Sequence, residues 1–133
     1  MNVGGHVHSD RSENQTGRIR QVLPRLPDSA IKELADIVRR LVDAMEPEQI
    51  YVFGSQARGD ATADSDVDLV VVVRSSDEPG YRRDQAALRA IGLHRLPLDV
   101  LVLTREELSQ FADSPTSLQA IIRREGRTLY AAA

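Results

Sequence analysis

The segment Val67-Asp68-Leu69-Val70-Val71-Val72-Val73 limits the fold more than any other part of the 133-residue chain. Most of its residues are β-branched, stiff in a helix and well suited to a pleated surface. Beyond Asp68 it offers no polar side to water, which predicts a central strand covered on both faces in a layered α/β fold. The only acidic interruption lies at its N-terminal end, where Asp66 and Asp68 stand two residues apart.

The flanking sequence supplies the other elements. Pro24 and Pro27 break the chain, and Asp28 or Ser29 is placed to cap a helix. The apolar residues of that helix, Ile31, Leu34, Ala35, Val38, Leu41, Val42 and Met45, recur at three and four, leaving Arg39, Arg40 and Asp43 to solvent. Pro47 closes it, and Ile50 to Phe53 reads as a short strand leading into Gly54-Ser55. Tyr81 to about Leu93 reads as a weaker helix with Tyr81, Leu88 and Ile91 on one side. Pro97 to Leu103 is the next strand. Thr104 with Glu107 forms a capping box for a helix to about Phe111. Ser114-Pro115 opens another helix, carrying Leu118, Ile121 and Ile122 inward until Gly126 stops it. Thr128 to Tyr130 can add a last short strand. The expected architecture is a small mixed β-sheet with flanking helices.

Length allows one domain and not two. Residues 1–22 lack a sustained apolar period and read as a flexible tail, with the domain running from 23 to 133. The tail holds His6 and His8, which without a third ligand are assigned no role. The net charge of −3 and the lack of a basic stripe interleaved with aromatics argue against a protein that grips nucleic acid. Cysteine is absent, so disulfides, thiolate nucleophiles and cysteine-held zinc are excluded and any metal must take oxygen or imidazole ligands. No stretch is apolar enough to span a bilayer or act as a secretory signal, which makes the cytoplasm the default address.

The chemistry concentrates in Gly54-Ser55-Gln56-Ala57-Arg58-Gly59, a polar loop, and Asp66-Val67-Asp68. On an extended strand, residues two apart share a side at about 7 Å, so Asp66 and Asp68 present two carboxylates to one region. Such a pair suits a hard divalent cation that keeps positions for phosphate oxygens, though a capping Asp66 and a solvent-facing Asp68 would look the same in sequence. Asp99 is a third carboxylate, set in an otherwise apolar strand. It can join the pair if that strand lies beside Val67–Val73, and otherwise faces solvent at a sheet edge. Gly54 and Ser55 follow a strand at what is either an ordinary glycine turn or a turn of the kind that meets a phosphate, with Arg58 close by to add positive charge.

Gly54-Ser55, ten intervening residues and Asp66-x-Asp68 together resemble the signature of the DNA polymerase β-like nucleotidyltransferase superfamily. The wider string GSQARGDATADSDVDLVVVV is similar to its minimal nucleotidyltransferase (MNT) group, and the resemblance runs from about residue 28 to 130. It implies the polymerase β-like fold and transfer of a nucleoside monophosphate from a triphosphate to a hydroxyl. By the same resemblance Asp66, Asp68 and Asp99 are catalytic and hold two Mg²⁺ ions, with Asp99 favouring deprotonation of the attacking hydroxyl. Gly54, Ser55 and Arg58 bind the phosphates of ATP. The chain resembles free-standing MNT proteins of this size, which are usually the antitoxin half of a pair with a HEPN toxin. The expectation is therefore an antitoxin that attaches AMP to a tyrosine of a HEPN partner. Two alternatives stay open: an antitoxin that neutralises by contact alone, and an aminoglycoside-type small-molecule nucleotidyltransferase built as a homodimer. Arg82, Arg83, Arg89 and Arg95 gather on or after one helix, where they form a solvated face or meet an acidic partner or a phosphate. His94 reads as a surface or helix-capping residue.

Overall fold

The Val67–Val73 run forms strand β2 at the centre of a four-stranded sheet, with strand order β3-β2-β1-β4. The structure, a computed structural model, describes residues 14–54, 66–110, 114 and 116–132. Along the chain these residues form helix α1 (14–22), helix α2 (Asp28–Met45), strand β1 (Gln49–Phe53), β2, helix α3 (Gly80–Ile91) and strand β3 (Leu98–Thr104). Helices α4 (Arg105–Ser109) and α5 (Leu118–Glu125) and strand β4 (Arg127–Ala131) complete them. Strand β1 pairs antiparallel with both β2 and β4, whereas β2 and β3 run parallel through the α3 crossover, so the sheet is mixed as expected.

Alternation along β2 builds two apolar layers. Val67, Leu69, Val71 and Val73 face α2 and α3 and belong to the larger core, with Ile31, Leu34, Ile37, Val38 and Leu41 of α2 and Ala87 and Ile91 of α3. Val70 and Val72 face the other way, onto Leu108 of α4 and Ile122 of α5. Each fully buried aliphatic side chain contributes about 1.5–3 kcal/mol, which is why this strand anchors the molecule.

Four expectations need correction. Residues 14–22 are helical, and Ile19 and Leu23 are fully buried in the larger core, so this part is no flexible tail. Gln15 Nε2 also donates to the Leu129 carbonyl of edge strand β4 at 2.9 Å, and Arg20 pairs with Asp28 at 2.6 Å. Three apolar residues at helical spacing suffice there because a preformed sheet and helix receive them. Residues 1–13, with His6 and His8, lie outside the described residues. Second, the cap position of α2 is Pro27, which has no capping side chain, and Asp28 lies inside the first turn, where it pairs with Arg20. Third, α5 is capped by Ser117, whose hydroxyl accepts from Ala120 N at 3.0 Å; Ser114 sits one turn earlier and bonds Ser117 through its carbonyl. Fourth, Tyr81, Leu88 and Leu118 are exposed, since the faces of α3 and α5 that meet the sheet are those of Ala87 and Ile91, and of Ala120 and Ile122.

Helix α2 also sets the connection into β3. The Glu33 carboxylate accepts from the backbone N–H groups of Arg95 and Leu96 at 2.8 and 2.7 Å, and Arg40 Nη1 donates to the Ile91 carbonyl at 2.7 Å. His94 Nδ1 hydrogen-bonds the Leu96 carbonyl at 2.7 Å in the same turn rather than capping α3, which ends at Gly92 with its N–H on the Leu88 carbonyl. Charge-assisted bonds of this kind hold the chain where β3 begins.

Candidate active site

The parallel register pairs Asp68 with Asp99, from strands that both begin at this end of the sheet. Paired positions on neighbouring strands lie about 4.8 Å apart, so the condition under which Asp99 could join the acidic pair is met by the backbone. Asp99 is also exposed on an edge strand, which spares its charge the cost of desolvation. Asp66, one residue ahead of β2, is exposed, and Asp68 is half-buried. By strand alternation all three belong to the face that carries Val70 and Val72. Among the described residues, helices α4 and α5 pack on that face over the valines, and the carboxylates lie at its other end.

Strand β1 brings the glycine turn to the same place. Phe53 is the antiparallel partner of Asp68, and Gly54 follows it with φ +79°. A Cβ on Gly54 would lie 2.5 Å from Asp68 Oδ2, so the carboxylate rests against the bare glycine Cα. The sequence reading assigned Gly54 to close phosphate approach and missed this contact, which depends on the register between β1 and β2. Ser55 and Arg58 lie outside the described residues.

The donors along this strand end are carboxylate oxygens, the set a hard divalent cation prefers. Among the described residues, no three His, Asp or Glu side chains are gathered closely enough to hold a metal as they stand. The exposed Asp66 and Asp99 are free to change rotamer, so the donor set fits a cation that completes its shell with water and substrate oxygens.

A concavity of about 290 Å³ lies at the opposite end of the sheet, where β2 leaves for α3 and β3 turns into α4. It serves structure. The buried Arg83 donates to Glu107 Oε1 at 2.6 Å, and the same oxygen accepts from Thr104 N at 2.9 Å, closing the expected capping box. Burial pushes the Glu107 carboxyl up, but the bonds from Thr104 and Arg83 outweigh it and hold the group below the usual glutamate range. Arg83 therefore leaves the basic face anticipated for α3. Its spacing of four and eight from Ala87 and Ile91 was the signal.

The pattern that defines the nucleotidyltransferase domain family matches residues 31–129. The chain belongs to that family. In three dimensions it is similar to a Sulfolobus solfataricus protein described as a "putative nucleotidyltransferase", with a TM-score of 0.57 and 20% sequence identity over 91% of this chain and 87% of that one. At that identity the likeness establishes the fold, which is the nucleotidyltransferase fold expected. None of the curated proteins compared with the chain matches it. Among the described residues no helix is long and apolar enough to cross a membrane.

Proposed function

We propose that the protein transfers AMP from ATP to a hydroxyl group, with Mg²⁺, and that the acceptor is a tyrosine of a HEPN-type toxin which the transfer silences. The observation that carries the catalytic half is the Asp68–Asp99 register beside Gly54, at one end of the sheet of a nucleotidyltransferase domain. The resemblance to free-standing MNT antitoxins supports the acceptor and the toxin partner, and a cytoplasmic setting supplies both ATP and Mg²⁺.

In this reading the acceptor oxygen bonds to the α-phosphorus, the bond to the β-phosphate breaks, and pyrophosphate leaves. Asp66 and Asp68 would hold Mg²⁺ on the triphosphate, and Asp99 would complete a second site. Bound Mg²⁺ neutralises charge developing on the entering and leaving oxygens. Asp99, beside the acceptor, favours loss of the hydroxyl proton. Gly54 keeps the turn clear of a side chain, while Ser55 and Arg58 meet the phosphates. Asp66 and Asp99 are exposed among the described residues, which suits a protein acceptor that must itself shield the reacting atoms from water.

The test is to mix the protein with the product of the neighbouring gene, Mg²⁺ and ATP, and weigh both intact, with Asp66→Asn/Asp68→Asn as control. A gain of one AMP mass per site on the neighbour, seen with the wild type alone, is the expected result. No gain, with an equally stable complex formed by the variant, would make the protein an antitoxin that acts by contact. Transfer to a small molecule by the isolated protein would instead support the homodimeric alternative.

A further inference from the structure

We infer that the outer face of α3 and the turn after it form a docking surface for an acidic, leucine-bearing helix of a protein partner. Among the described residues four large hydrophobic side chains are exposed, and three of them are here: Tyr81 at 62%, Leu88 at 47% and Leu93 at 100%. Tyr81 and Leu88 are seven residues apart, two helical turns or about 10.5 Å, and so lie in one row. Arg83, Ala87 and Ile91 line the buried side of the helix, and the row runs along the margin of that side, exposed at both Tyr81 and Leu88.

Charge settles what covers this row. Arg82 and Arg89, also seven apart, flank it on one side, and Arg95 lies in the turn beyond Leu93. Among the described residues these three arginines have no ion-pair partner, a state they share with Arg18, Arg25, Arg123, Arg124 and Arg127. The only acid within α3, Asp84, is turned inward and accepts from Val102 N at 2.8 Å. In a chain of net charge −3, this helix face therefore carries an apolar row with positive charge beside it. That pattern fits an amphipathic helix laid alongside, with leucines on the row and glutamates toward the arginines. A second copy meeting the same face across a two-fold axis would set arginine against arginine. RNA would satisfy the arginines and leave the leucines against phosphate and sugar.

The surface belongs to the α2–α3 layer, whereas the carboxylates are on the opposite face, and the inference does not depend on how they are read. Leu93 and Arg95 nonetheless lie in the connection that starts β3, a few residues before Asp99. A partner held there is held beside the carboxylate end of the sheet.

The test uses the full chain and a fluorescent 18-residue synthetic helix with leucines at i, i+3, i+4 and i+7 spacing and glutamates elsewhere. A copy with lysine for glutamate and a labelled oligouridylate serve as controls, all read by anisotropy at low and physiological salt. Leu88→Ser and Arg82→Glu/Arg89→Glu alter exposed positions, and circular dichroism melts verify that each variant folds. The acidic helix should bind, with affinity reduced about tenfold or more by either variant and by salt, while both controls stay free. Absence of binding, equal binding of the lysine helix, or binding indifferent to both variants overturns the inference. Oligouridylate binding lost in the double charge variant overturns it as well, and would mark the arginines as phosphate contacts.

Discussion

Replacing Gly54 by alanine tests whether the glycine is there for Asp68. At φ +79° an alanine pays roughly 1–2 kcal/mol for the left-handed conformation alone. Its Cβ would also stand 2.5 Å from Asp68 Oδ2. The carboxylate must retreat by about 1 Å to reach ordinary contact distance. Asp68 is short and sits in a paired strand, so it yields by leaving its rotamer, at about 0.5–1.5 kcal/mol. The total, roughly 1.5–3.5 kcal/mol, corresponds to a fall in Tm of about 6–14 °C at some 4 °C per kcal/mol for a domain of this size. The decisive assay is a double-mutant cycle in urea. With Asp68→Ala in the background only the backbone cost remains, so the cycle should show a coupling of about 0.5–1.5 kcal/mol. Costs that add with no coupling would mean that the carboxylate does not rest on Gly54, and the proposed geometry of the site would fail with it.

Ile19→Ala should cost about 2–5 kcal/mol by opening a cavity between α1 and the larger core, measured by chemical denaturation; a change below 0.5 kcal/mol would return residues 14–22 to the status of a tail. Glu107→Gln should make acid less damaging. Because the Glu107 carboxyl is held below its ordinary value of 4.5, its contribution is fully present above that pH and is lost as pH falls through the lowered value. The stability gap between wild type and variant should therefore be widest above pH 4.5 and close below it, and a gap that stays constant with pH would show that the Arg83 and Thr104 bonds do not depend on the charge.

What the sequence disclosed follows from how local each signal is. The bounds of β2 were legible to the residue, because a β-branched run has only one comfortable conformation. The Thr104–Glu107 box was legible because both partners lie within one turn. Helix α1 was not, since Ile19, Val22 and Leu23 become a core face only once α2 and the sheet stand opposite them. The carboxylates could be proposed from spacing, but the meeting of Asp68 and Asp99 rests on a crossover and a register that no local pattern encodes. The clamp of Glu33 on the amides of Arg95 and Leu96 spans 62 and 63 residues and left no trace in sequence.

The two ends of the β2–α3–β3 crossover are built to different tolerances, and this bears on how the domain can grow. Residues 91–96 are gripped by Arg40 at Ile91 and by Glu33 at Arg95 and Leu96, and one residue added there slides Asp99 off its partner and turns it to the wrong side of the sheet. Residues 74–79, at the far end, are exposed throughout, with Glu78 N bonded only to the nearby Ser76 hydroxyl. New segments, whether acquired in evolution or grafted in the laboratory, belong between β2 and α3. There the chain can lengthen without disturbing the carboxylates.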